Sequence, residues 1–211
     1  MKNKFGKYIY WMIAVFPIIL SAAFYSRLPE VMPTHWDISG NPNGYSPRFF
    51  AAFGIPAILL VCTVLVNFSI SADPNKQNID RSPQMKFISK WLIVIIANVA
   101  QGAVIAKAIH QNFNISILIT VLVGIVIVVF GNYLPKCKPN YTIGIKLPWT
   151  LASEDNWRKT HRFAGFVWII GGILIAVSAF VATKWLMIGT IILLTVIPTV
   201  YSYCIYQKDK S

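Results

Sequence analysis

Acidic residues are scarce in this chain: seven Asp and Glu stand against nineteen Lys and Arg in 211 residues. Charge of either sign is rare as well, at 12%, while 56% of residues are hydrophobic. A soluble globular domain could not hide that much apolar surface from water, so the composition points to a lipid solvent. No Asp or Glu falls inside the long apolar runs. That weighs against proton-coupled transport, which relies on intramembrane carboxylates, but leaves a passive channel open. Cysteine is equally sparse. Cys62, Cys137 and Cys204 show no CxxC or Cys–His spacing, so no disulfide framework, structural zinc or other cofactor is expected. The net charge of +12 comes without a basic groove motif, and no direct nucleic-acid partner is expected.

Long apolar runs are what the chain has in abundance. Six of them cover roughly Tyr8–Ser26, Phe50–Ala72, Ile88–Ile109, Ile115–Leu134, Phe163–Thr183 and Trp185–Tyr206. About 20 such residues cross about 30 Å of hydrocarbon. The runs are continuous rather than alternating, so helices, which satisfy their own amides, are favoured over a barrel. The fold class is therefore all-α: a polytopic helical membrane protein with six transmembrane helices. Pro17, Pro56 and Pro198 lie within runs and are expected to kink them. The first run is too long for a cleaved signal and five more follow. Neither half repeats the other, so residues 1–211 read as a single integral membrane domain. Its parts are 1–72 (two spans and an ordered outer loop, 27–49), 88–134 (spans three and four), 135–162 (a cytoplasmic loop) and 163–206 (spans five and six).

Cation placement sets the orientation. With the N-terminus inside, Lys2, Lys4, Lys7, Lys76, Arg81, Lys86, Lys90, Lys136, Lys138, Lys146, Arg158, Lys159, Arg162, Lys208 and Lys210 all face the cytoplasm. Only Arg27, Arg48, Lys107 and Lys184 remain outside. Under the positive-inside rule both termini are cytoplasmic, and the constant partner of such a multi-pass chain is the lipid bilayer.

Polar residues within the runs gather in the third. Asn98 and Gln101 share a helix face suited to interhelical hydrogen bonds, and Gly102 with Ala106 offers a small-xxx-small contact. Lys107 sits near enough to the outer boundary for its ammonium to snorkel.

Two connecting segments are too structured in composition to be linkers. The outer one, 27–49, has four prolines, Gly40 and the Asn43–Gly44 pair for tight turns, and Trp36, Tyr45 and Phe49 among them. A folded cap is expected. His35 and Asp37 could form a metal pair or an acid and base, organise the loop, or contact a partner. Zinc would need a third ligand, and only Glu30 and His110 are on offer. The inner segment, 135–162, is punctuated by Pro139, Gly144 and Pro148. Ser153 can cap a helix whose first turn holds Glu154 and Asp155, with Arg158 and Lys159 four residues on. That helix is expected to run unbroken into span five, with Trp157, His161 and Ala164 along one stripe. Thr160 and His161 are sequence neighbours, so their side chains diverge on a helix and no catalytic pair is formed.

The run from Gly131 to Gly165, G-N-Y-L-P-K-x-K-P-N-Y-x-I-G-I-K-x-P-W-T-L-x-S-E-x-x-W-R-K-T-H-R-x-A-G, strongly resembles the signature of the SdpI immunity-protein family. The run P-T-H-W-D-x-x-G-x-P-x-G-Y, from Pro33 to Tyr45, resembles the small domain of unknown function that commonly precedes it. The resemblance implies a multi-pass protein of a bacterial cell (inner) membrane, not an enzyme, that protects its cell from a secreted antimicrobial peptide. It also implies a second role, signal transduction, in which a cytoplasmic transcriptional repressor is held at the membrane. The toxin-binding residues would be Pro33, Thr34, His35, Trp36, Asp37, Gly40, Gly44, Tyr45 and Phe49. The cytoplasmic signature would comprise Asn132, Tyr133, Pro135, Asn140, Gly144, Lys146, Pro148, Trp149, Thr150, Trp157, Arg158, Thr160, His161 and Arg162. One departure is Lys146–Leu147, where the family usually shows Arg-Thr; it loses a bidentate donor and a hydroxyl. A small transporter or channel, or a membrane enzyme acting on peptide or lipid, stays open beside this reading.

Overall fold

The computed structural model describes residues 4–37, 41–109, 115–181 and 184–209. Among the described residues six stretches are helices long and apolar enough to cross a membrane: Lys4–Arg27, Phe50–Ala72, Pro83–Ile109, Ile115–Lys136, Glu154–Ser178 and Trp185–Lys208. The protein is thus a polytopic helical membrane protein. In chain order the regular elements are α1 (Lys4–Phe24), β1 (Val31–Trp36), β2 (Pro42–Pro47), α2 (Ile55–Ala72), α3 (Lys76–Asp80), α4 (Pro83–Ile109), α5 (Ile115–Tyr133), α6 (Pro148–Ala152), α7 (Glu154–Ser178) and α8 (Lys184–Lys208). A π-helical turn, Phe50–Gly54, leads into α2. The third span begins five residues earlier than its apolar run, because the polar turn Pro83–Phe87 is already helical.

The backbone divides into two compact units, one of residues 1–66 and 90–119, the other of 67–89 and 120–211. In the first, Tyr10, Ala14 and Val94 form a buried cluster. Tyr10 packs edge-on to Trp91 at 5.1 Å and donates its hydroxyl to Lys90 O at 3.1 Å. Asn98 donates across to Ile13 O at 3.0 Å. Gln101, 1% exposed, donates to Ser21 Oγ at 2.8 Å and to Ala51 O at 3.1 Å. One amide thereby ties α1 and the π-helical turn to α4, the interhelical bonding read from the sequence. Gly102 does not make the expected close contact: a Cβ there would meet nothing within 4 Å.

The close approach is found in the second unit instead. A Cβ on Gly124 would lie 2.6 Å from Gly172 O, and one on Gly131 would lie 2.9 Å from Gly165 O. Each pair is seven residues apart on its own helix, so α5 and α7 meet backbone to backbone at two levels of one antiparallel crossing. Helix α7 starts as read: Ser153 Oγ accepts from Asn156 N at 3.2 Å, and the helix runs unbroken to Ser178. Arg158 and Lys159 both pair with Asp155, so Arg158 reaches back three residues rather than the expected four to Glu154.

Candidate functional site

The outer segment is a cap built as an antiparallel hairpin, which its four prolines did not announce. Val31 pairs with Pro47, Pro33 with Tyr45 and His35 with Gly44, with register shifts on either side of His35. Pro42 and Pro47 are the two ends of β2, and Pro33 borders a register shift, places where a missing N–H costs little. Side chains close the turn. Thr34 and Ser46 hydroxyls bond at 3.0 Å, and His35 Nδ1 meets Asn43 Oδ1 at 2.5 Å. Asp37 Oδ1 accepts Asn41 N at 2.8 Å, while Asp37 N donates to Asn41 O at 2.8 Å. Gly44 must be glycine here, since a Cβ would lie 2.8 Å from His35 Cβ.

Beneath the hairpin, Met32 is fully buried with Leu28, Ala51, Ala52, Val104 and Ile105. Trp36 packs half-buried against this cluster. Arg48 donates to Pro29 O and stands 5.4 Å over the Tyr25 ring, fastening the exit strand. The expected aromatic trio therefore splits: Trp36 belongs to the platform, whereas Tyr45 and Phe49, 59% and 67% exposed, face outward. His35 and Asp37 are held by different partners. Among the described residues no group of three His, Cys, Asp or Glu could hold a metal. Gly40 and His110 lie outside the described residues.

The inner segment folds around buried polar side chains. Asn140, fully buried, accepts Thr142 N and Ile143 N at its Oδ1 and donates to Lys138 O at 2.8 Å, bridging both sides of a turn. Asp73, at the end of α2, accepts Tyr141 N at 3.0 Å and the Thr142 hydroxyl at 2.5 Å. Asn78 donates to Pro139 O, and Ser82 Oγ accepts Lys138 N. Cys137, buried in this turn, has its thiol pushed up to about 11 by the loss of water around it. Nearby Asp80 is held down at about 2 by Lys86 and then Lys76.

Helix α7 supplies the floor. Trp157 Nε1 donates to Cys137 O at 2.7 Å, and the indole stacks on His161 at 4.0 Å between centroids. His161 is fully buried, with Nδ1 at 2.8 Å from Trp157 O and Nε2 accepting Ile145 N at 2.9 Å. Those partners fix one neutral tautomer, protonated at Nδ1. Gly144, whose φ is +115°, passes directly over the pair; a Cβ would sit 2.5 Å from His161 Nε2. Both imidazole nitrogens are thus committed to backbone.

The remaining signature residues complete this frame. Pro148 starts α6, and Thr150 Oγ1 accepts Leu147 N while donating to Ile145 O. Trp149 Nε1 donates to Ser202 Oγ and stacks near Tyr206. Thr160 donates to Asn156 Oδ1, whose amide donates to Ser202 O. Pro135 packs against Gly165. Lys136 Nζ lies 5.0 Å over the Tyr133 ring, and Lys146 Nζ donates to Thr142 O. Asn132 and Arg162 are exposed, and Lys107 is half-buried at the end of α4. Asp73, Asn78, Ser82, Asn156 and Ser202 carry much of the frame yet escaped sequence reading. Asp73 alone left a signal, as an acid placed directly after a span.

A six-span membrane protein with an ordered hairpin cap and a rigid polar signature segment is the class these features define. Residues 136–202 match the SdpI/YfhL protein family, and residues 12–60 match a domain of unknown function, DUF1648. Over 201 residues the chain is 28% identical to the protein named Immunity protein SdpI of Bacillus subtilis (strain 168), covering 93% of this chain and 94% of that relative. The resemblance read from Gly131–Gly165 and Pro33–Tyr45 is therefore borne out, and the chain is a multi-pass cell-membrane protein similar along most of its length to that immunity protein. No solved structure matches the chain significantly.

Proposed function

We propose that this protein shields the membrane of its own cell from a secreted peptide toxin, by binding the peptide rather than by chemical turnover. The observation that carries this reading is similarity to an immunity protein along 93% of the chain, which spans cap and signature segment alike. The cap is suited to an amphipathic peptide. Tyr45 and Phe49 present rigid apolar surface at low entropic cost, and the Asp37 carboxylate offers a counter-charge to a cationic group. His35, Thr34, Pro33 and Gly44 act by holding the hairpin in shape. The signature segment, with its polar groups satisfied internally, gives a preformed face on which a cytoplasmic repressor could be held.

The test is expression in a toxin-sensitive bacterial strain challenged with candidate secreted peptides. Survival should rise with the wild-type chain and be lost in a Tyr45→Ala/Phe49→Ala double variant that inserts normally. Unchanged survival in that variant removes the cap from the mechanism. Survival no better than the empty strain with every peptide removes the function.

A further inference from the structure

We propose that the cytoplasmic ends of α4 and α5 form a binding site for one anionic phospholipid. A pocket of about 380 Å³ lies there, lined by Pro83, Gln84, Phe87 and Ile88 of α4 and by Val129 and Tyr133 of α5. Its walls are graded in polarity along the helices. Phe87, Ile88 and Val129 are apolar and lie farther from the helix ends, a surface on which an acyl chain packs without leaving hydrocarbon. Gln84 and Tyr133, one residue from the start of α4 and the last residue of α5, bring an amide and a phenol to the mouth.

Charge at the mouth selects the headgroup. Lys136 Nζ stands 5.0 Å over the Tyr133 ring, so an ammonium is held at the rim of the pocket itself. The bordering segments, 73–89 and 133–138, contain Lys76, Arg81, Lys86, Lys136 and Lys138 against only Asp73 and Asp80. Both acids are already engaged, Asp73 by Tyr141 N and the Thr142 hydroxyl, Asp80 by Lys76 and Lys86. The surplus is positive, which favours a phosphate without a compensating choline. The apolar walls commit the site to a lipid rather than to free phosphate. This site is independent of the toxin-binding reading, since it uses neither the cap nor the buried signature turn.

Native mass spectrometry of the full chain, released from detergent with phosphatidylglycerol, phosphatidylcholine or inorganic phosphate added, reads the site directly. Phosphatidylglycerol should be retained over phosphatidylcholine, and Lys136→Gln should weaken that retention by about fivefold, the factor one lysine contributes near an anionic surface. Gln84→Trp, at an exposed position, should fill the mouth and lower retention as well; it decides the matter if Lys136→Gln fails to fold. Equal retention of the two lipids, displacement of phosphatidylglycerol by inorganic phosphate, or retention unchanged in a folded variant would each overturn the proposal.

Discussion

Gly144 and His161 are packed so closely that a single methyl group on the glycine would reach 2.5 Å from the imidazole Nε2. The glycine also sits at φ +115°, a region that L side chains avoid at a cost of about 1–2 kcal/mol. The neighbouring Ile145 N–H depends on that same Nε2 as its acceptor. Sequence position 144 therefore couples a backbone conformation, a steric limit and a hydrogen bond.

Gly144→Ala should consequently destabilise the protein by about 2–4 kcal/mol, adding backbone strain to the loss of one buried hydrogen bond. The measurement is the thermal unfolding midpoint in detergent, with Gly102→Ala as control. Gly102 has open space around a Cβ, and its replacement should leave the midpoint unchanged or raise it. Equal midpoints for wild type and Gly144→Ala would show that the turn does not pass over His161 as described.

Cys137 reports whether the signature turn is closed. Its thiol is buried and raised to about 11, which leaves little thiolate at neutral pH. In a chain with Cys62 and Cys204 replaced by Ala, maleimide should label Cys137 about 100-fold more slowly in the native protein than after denaturation. Asp73→Ala removes the acceptor for Tyr141 N and one of the two acceptors of the Thr142 hydroxyl, and should raise native labelling by an order of magnitude. Labelling that Asp73→Ala leaves untouched would mean that the turn is held without that carboxylate.

The contrast between Asp73 and His161 explains what the sequence could disclose. Six spans were legible because hydrocarbon imposes one rule on about twenty residues at a time. The α7 start was legible because a Ser cap followed by two acids is a local pattern. His161 could be placed on a stripe with Trp157 for the same reason. Its acceptor role toward Ile145 could not, because that contact links residues 16 apart through a turn with no helical period. Asp73 bonds across 68 residues to Tyr141, a distance over which no periodicity operates. The hairpin was masked by its own prolines, which mark turns in the sequence, whereas the strand register puts Pro42 and Pro47 at the ends of a strand and Pro33 beside a register shift. Tyr45 and Trp36 look equivalent in the sequence, and only packing over Met32 separates the exposed ring from the half-buried one.

The α5–α7 crossing offers a stringent check, because its two levels are built from reciprocal glycines. A Cβ on Gly124 would meet Gly172 O at 2.6 Å, and one on Gly172 would meet Gly124 O at 2.7 Å. Either substitution to Ala forces the helices apart at the same level, at a cost of about 1–3 kcal/mol, the range for overpacking a close contact. Once one methyl has separated the backbones, the second finds room already made. The Gly124→Ala/Gly172→Ala double variant should therefore be less destabilised than the sum of its singles, with a coupling of about 1 kcal/mol. Gly124→Ala combined with Gly165→Ala, which strikes the other level, should come closer to additive. A double-mutant cycle on thermal midpoints in one detergent distinguishes the two pairings. Strict additivity for Gly124 and Gly172 would place the two glycines in separate contacts and undo the crossing as drawn.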